Sequence, residues 1–91
     1  MSLSLAAKQG HVTVIQILLE AGASPNTSGD SPLIEATRGN HVPAVKILLE
    51  AGADANHKNA MGRNALSYAK EHKNAELISL LRTKTKRFGL F

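Results

Sequence analysis

The sequence predicts an all-α fold: a solenoid of stacked helix-turn-helix units joined by short hairpin-like loops. Three observations carry that expectation. One phrase occurs twice, as HVTVIQILLEAGASPN from His11 and as HVPAVKILLEAGADAN from His41. Within each copy the apolar residues recur at helical spacing, and cap-forming residues bound the stretches. The only aromatic residues are Tyr68, Phe88 and Phe91. The core must therefore be built from Leu, Ile, Val and Ala, which favour packed helices.

The repeat has a definable period. His11 and His41 are 30 residues apart, whereas the SPL at Ser31 and the NAL at Asn64 are 33 apart. A 33-residue unit with one copy shortened by three accounts for both. The shortening falls where NTSG (26–29) stands against NHKNAMG (56–62). The chain then divides into a partial unit over 1–26, a full unit over 27–56, a degenerate capping unit over 57–82 and a basic tail over 83–91.

Each element has a local reason. In the first unit the alanines Ala6 and Ala7 suit a short helix that is approached closely. Val14, Ile15, Leu18 and Leu19 form the stripe of a longer helix that Gly22 ends. In the second unit Ser31 caps the short helix and Pro32 occupies its first position, where a missing N–H costs nothing. Leu33 and Ala36 share a face, and Arg38-Gly39-Asn40-His41 makes the turn. The long helix follows with Ala44, Val45, Leu48 and Leu49 on one stripe. Pro43 lies in its first turn, where it is tolerated, and Gly52 closes it in a left-handed conformation. The third unit, NALSYAKEHKNAELISLLR, keeps the pattern without the closing Gly, and Ala69 again allows close approach. One such helix pair cannot bury both its apolar faces, and stacking copies does.

These residues resemble the ankyrin repeat family from about Leu3 to Leu81. SPLIEATRGNHVPAVKILLEAGADAN is similar to one complete repeat, and the flanking units to about two further partial ones. The helix-opening TPLH of the family stands here as SPLI and NALS, so its hydrogen bonding does not carry over. Arg82 replaces the apolar residue at Leu49 and suits a polar end cap. The resemblance implies the C-terminal part of a longer array with more repeats upstream, and a monomeric module within a longer chain. It also implies a scaffold or adaptor function: binding of a partner protein on a concave face of short-helix surfaces and loop tips. The matching contact positions are Lys8 and Gln9; Thr27, Ser28, Asp30, Arg38 and Gly39; and Lys58, Ala60, Met61, Arg63, Glu71 and His72. Tyr68 lies beside this row. Met61 is an adaptable apolar side chain at an expected loop tip, and aromatic and arginine side chains commonly anchor interfaces. The third unit is thus the expected anchor, with Arg38 and Arg63 as its charges. The alternatives are that Met61 packs on a neighbouring loop and that Tyr68 fills the core between units.

Other chemistry is poorly supported. With no cysteine, disulfides and thiolate metal sites are excluded. His11, His41, His57 and His72 are too widely spaced for a metal motif, and His11 and His41 hold equivalent turn positions. Ser31 in GDSPL is not in a nucleophile elbow, and no phosphate-loop spacing occurs. The expectation is a non-enzyme without metal or cofactor. No apolar run approaches the ~20 residues of a membrane span, and MSLSLAAKQG lacks the plan of a signal peptide. That points to an intracellular protein, cytoplasmic, nuclear or both.

Two features remain. LLEAGADAN, ending at Asn56, resembles the substrate motif of the asparaginyl hydroxylase that modifies ankyrin repeats, through Leu48, Asp54, Ala55 and Asn56 itself. The copy ending at Asn26 lacks the acid and carries Pro25. The net charge of +4 resides in the tail, where Arg82, Lys84, Lys86 and Arg87 cluster. The tail has three readings. It continues the last helix through Ile78, Leu81, Thr85 and Phe88; or it is a disordered basic segment for nucleic acid or an acidic surface; or KTKR is a nuclear import signal. A basic-tail binder on a passive stack is the alternative to the adaptor function.

Overall fold

The computed structural model describes residues 2–27 and 29–85, the last two by their backbone alone. Six helices occur among them: α1 (Leu3–Gln9), α2 (Val12–Glu20), α3 (Pro32–Arg38), α4 (Val42–Glu50), α5 (Ala65–His72) and α6 (Ala75–Thr85). They form three antiparallel pairs stacked in two layers. In one layer α1 packs on α3 and α3 on α5; in the other α2 packs on α4 and α4 on α6. The stack measures 37 × 26 × 24 Å.

The short helices begin where the caps direct. Ser31 accepts a hydrogen bond from the Ile34 N–H and Asn64 one from the Ser67 N–H. Ser2 does the same for α1, accepting from the Leu5 N–H, so the first unit carries a cap that the repeat pattern did not foretell. Each pair then reverses at one equivalent left-handed residue: Gly10, Asn40 and Lys73, with φ of 74, 62 and 54°. In the expected turn Arg38-Gly39-Asn40-His41, the left-handed residue is thus Asn40. Gly39 is required for space instead. A Cβ there would lie 2.5 Å from the His41 ring and 2.9 Å from the Lys8 carbonyl oxygen. Gly52 closes α4 with φ of 96°, as its place after the long stripe demands.

The core is aliphatic. Ile15, Leu33, Ile34, Val45, Leu48, Leu77 and Leu81 are completely or almost completely buried. Ala6, Ala7, Ala36 and Ala69 are buried too and let the short helices approach closely. The stripe expected on α4 is buried at all four positions, Ala44, Val45, Leu48 and Leu49. On α2 only Ile15 is buried, while Val14, Leu18 and Leu19 are partly exposed. The difference is one of neighbours: α4 is packed between α2 and α6, whereas α2 has α4 on one side only. α6 runs to Thr85, three residues into the expected tail.

Candidate interaction surface

The second inter-unit loop, residues 51–64, is organised by one side chain. The Asn59 carbonyl oxygen Oδ1 accepts from the Met61 and Arg63 N–H groups, at 3.0 and 3.1 Å. Its amide Nδ2 donates to Asp30 Oδ1 at 2.8 Å and to the Tyr68 hydroxyl at 2.9 Å. The backbone closes over it, Asn59 N–H to Arg63 C=O and Gly62 N–H to Asn59 C=O, both 2.9 Å. The tip is hairpin-like without forming a strand. Because Asn59 ties the loop to α5 and to the preceding unit, Met61 is held at the tip in a defined place. It is 74% exposed.

Beside this tip lies Tyr68. Its ring is buried, 7% exposed, and carries two guanidinium groups, Arg38 at 5.3 Å and Arg63 at 5.7 Å from the ring centroid. Both are within cation–π range. Arg38 also pairs with Asp30 at 3.3 Å, and Arg63 pairs with Glu71. Asp30 and Arg63 hold equivalent positions in consecutive units, as do Arg38 and Glu71. The same two positions thus carry an ion pair in both the second and third units, with the polarity exchanged and the tyrosine between them. A hollow of about 240 Å³ opens here, lined by Asp30, Arg38, Asn59, Met61 and Tyr68 among others. A second, about 520 Å³, adjoins it and is lined by Lys8, Asp30, Glu35, Arg38 and Gly39.

The expected contact residues divide accordingly. Asp30, Arg38, Met61, Arg63, Tyr68 and Glu71 come together in this cluster. Tyr68 contributes to it from below, as a buried support for the two arginines. Lys8 lies at the edge of the second hollow, and Gln9 is exposed at the end of α1. Thr27, Lys58 and Ala60 are exposed on the loops, and Ser28 lies outside the described residues. His72 is exposed, but its Nε2 donates to the Arg38 carbonyl at 2.8 Å, so it joins α5 to α3. His41 does the same one unit earlier, donating to the Lys8 carbonyl at 2.9 Å, and His57 donates to the Gly29 carbonyl at 2.7 Å. His41, His57 and His72 therefore serve as connectors between units. Among the described residues no group of His, Cys, Asp and Glu is placed to hold a metal ion.

The two asparagines of the repeated phrase behave differently. Asn26 spans to the next loop, donating to the Gly52 carbonyl at 3.2 Å and accepting from the Asp54 N–H at 2.7 Å. Asn56 is exposed, and its side chain meets no hydrogen-bonding partner among the described residues. Only its N–H is engaged, with Asp54 Oδ1 at 2.9 Å. Of the basic cluster, Arg82 is exposed on α6. The side chain of Lys84, together with Lys86, Arg87 and Phe88, lies outside the described residues. Asn59 is the organising residue of this surface that the pattern left unnamed. An Asn three residues before a glycine, in a loop between two helices, is a signal that could have found it.

Comparison with known proteins agrees with this architecture. The family model described as ankyrin repeats (3 copies) matches residues 3–89. Two relatives are both named Ankyrin repeat and SOCS box protein 3. The protein from Bos taurus is 56% identical and the one from Homo sapiens 54% identical, each over 84 residues and 88% of this chain. The chain spans 16% of the length of either relative.

Proposed function

The chain belongs to the ankyrin repeat family, whose repeats generally serve protein–protein interaction, and on that premise we propose that it is a scaffold or adaptor module. Its partner protein docks on the inner-helix and loop-tip face, with the third unit as the anchor. The observation that carries this reading is Met61, an apolar side chain 74% exposed on a loop that Asn59 holds in place. Pre-organisation matters because ordering a loop on binding subtracts from affinity. Around Met61 the arginines over Tyr68 supply charge at a mostly desolvated ring. The names of the relatives join ankyrin repeats to a second element, the SOCS box, which fits a module that binds on behalf of a larger protein.

The test is capture of partners by the 91-residue chain, its Met61→Asp and Arg63→Glu variants, and a version ending at Leu81, each at low and moderate salt. Partners lost with Met61→Asp and kept by the shortened version support the proposal. Phosphate contacts through several basic residues weaken steeply with salt. Partners lost with the tail or with moderate salt, and indifferent to Met61, would establish the basic tail as the binding element.

A second reading concerns Asn56 as a hydroxylation site. Its side-chain amide is exposed and meets no partner among the described residues, whereas Asn26 is occupied by the next loop. Intact-mass analysis of protein from cells that contain the hydroxylase tests it. A peptide bearing Asn56 that never gains one oxygen removes the site.

A further inference from the structure

The two hollows beside the second inter-unit loop share a wall, the paired side chains of Asp30 and Arg38, and differ in what else lines them. The smaller has Met61 and the Tyr68 ring. The larger, about 520 Å³, has two further charged residues, Lys8 from the last turn of α1 and Glu35 from the first turn of α3. Glu35 holds the place on α3 that Tyr68 holds on α5. The other acids of this face are partnered. Asp30 accepts from Arg38 and from Asn59, and Glu71 pairs with Arg63. Glu35 is half-buried, yet its side chain meets no hydrogen-bonding or ionic partner among the described residues. No side-chain oxygen among them is both closed off and unpartnered, so the Glu35 carboxylate is reached from the hollow. Partial removal of a carboxylate from water without a counter-charge is unfavourable. Lys8 is exposed and keeps its hydration, and the Arg38 guanidinium is already held by Asp30. The unmet demand in this hollow is for a positive charge.

We propose that Glu35 selects the partner: it receives a lysine or arginine side chain of the bound segment, while an apolar side chain of the same segment enters the neighbouring hollow against Met61 and Tyr68. This rests on the partner-binding face proposed above and adds the chemistry of the segment that fits it. The hollows adjoin, so a short stretch with a basic and an apolar residue close together spans both. A cation in the larger hollow has the carboxylates of Glu35 and Asp30 in its walls. An anion there would face both. The long-range field acts the other way, because a net charge of +4 attracts acidic chains whatever the site. A preference for basic segments is therefore a property of the local carboxylate.

Selection from a random-peptide library displayed on phage, against the 91-residue chain and its Glu35→Gln, Glu35→Lys and Met61→Asp variants, tests the proposal. The unaltered chain returns peptides that combine Lys or Arg with an apolar residue, and Glu35→Lys turns the selection toward acidic ones. Glu35→Gln keeps the shape of the side chain and removes its charge. It weakens binding of a synthetic copy of a selected peptide on the order of tenfold. Norleucine in place of the peptide's basic residue weakens binding to the unaltered chain to a similar extent and leaves binding to Glu35→Gln as it was. An acid is also favoured in the first turn of a helix, but that role alone alters unfolding and leaves peptide preference unchanged. Peptides that need Met61 and bind Glu35→Gln equally well overturn the inference and leave the face standing. Peptides indifferent to both Met61→Asp and Glu35→Gln overturn the inference and the face together. A selection that returns acidic peptides, or none that depends on Glu35, overturns the inference.

Discussion

The first and middle units share most of a sentence of sequence and live in different surroundings. QILLEAG in α2 and KILLEAG in α4 place a leucine pair at the same helical angle. Leu48 and Leu49 are buried, while Leu18 and Leu19 are partly open to solvent. The local code is identical, so the burial is a property of neighbours. In a stack, stability is approximately a sum of unit terms and nearest-neighbour interface terms, and the same residue has one value at an interface and another at an end. The comparison also has a direction. The helices and the histidine connectors reach back to the preceding unit, and the loop asparagine reaches forward to the next.

The largest expected contrast is at the leucines. Leu48→Ala removes a fully buried side chain and should cost about 2–5 kcal/mol. Leu18→Ala should cost about 1 kcal/mol or less, since only part of its surface is removed from water. Urea unfolding of the two variants measures both. Equal losses would break the neighbour argument. The histidines come next. His41→Ala deletes the bond to the Lys8 carbonyl and empties the space between Gly10 and Gly39, and about 1–2 kcal/mol is expected. His11→Ala should leave the unfolding midpoint where it is. The asparagines reverse the order of the units. Asn26→Ala strands the Asp54 N–H and should cost about 1 kcal/mol, whereas Asn56→Ala should be silent in the same assay. A silent Asn26 and a costly Asn56 would show that the loops do not look forward.

Much of this fold was legible beforehand because it is written locally. Ser31, Pro32 and Gly52 mark helix ends through their own backbone chemistry, and the apolar spacing of Ala44, Val45, Leu48 and Leu49 needs no partner to be read. The candidate site was legible only as a set of positions. Arg38, Arg63 and Met61 stand together on one face, while the pattern leaves Tyr68 open between surface and core. Its burial depends on the preceding unit bringing Asp30 and Arg38 over it. His72 was read as a contact residue, and the structure uses it to reach the Arg38 carbonyl. Asn59 went unnamed for the same reason. Its four partners come from the loop itself, from α5 and from the preceding unit. No periodicity in the chain encodes which carbonyl or carboxylate will face a side chain across a stacking interface.

The smallest expected effect bears on the site itself. Asp30–Arg38 and Arg63–Glu71 occupy equivalent positions with their charges exchanged, and all four side chains are about a third to a half exposed, so solvent screens them. Double-mutant cycles should give a coupling of about 0.2–1 kcal/mol for each pair, falling as salt is added. The two cycles should not be identical, because Asp30 is also bonded to Asn59 while Glu71 has no such second partner among the described residues. Asp30→Ala therefore disturbs the loop that presents Met61, and Glu71→Ala does not. If the pairs mainly stabilise the stack, both replacements shift unfolding by similar small amounts and leave binding alone. If they shape the surface, Asp30→Ala weakens partner binding more than its small effect on stability accounts for. Restoring the amide's partner with Asp30→Asn then recovers part of it, though that residue cannot pair with Arg38.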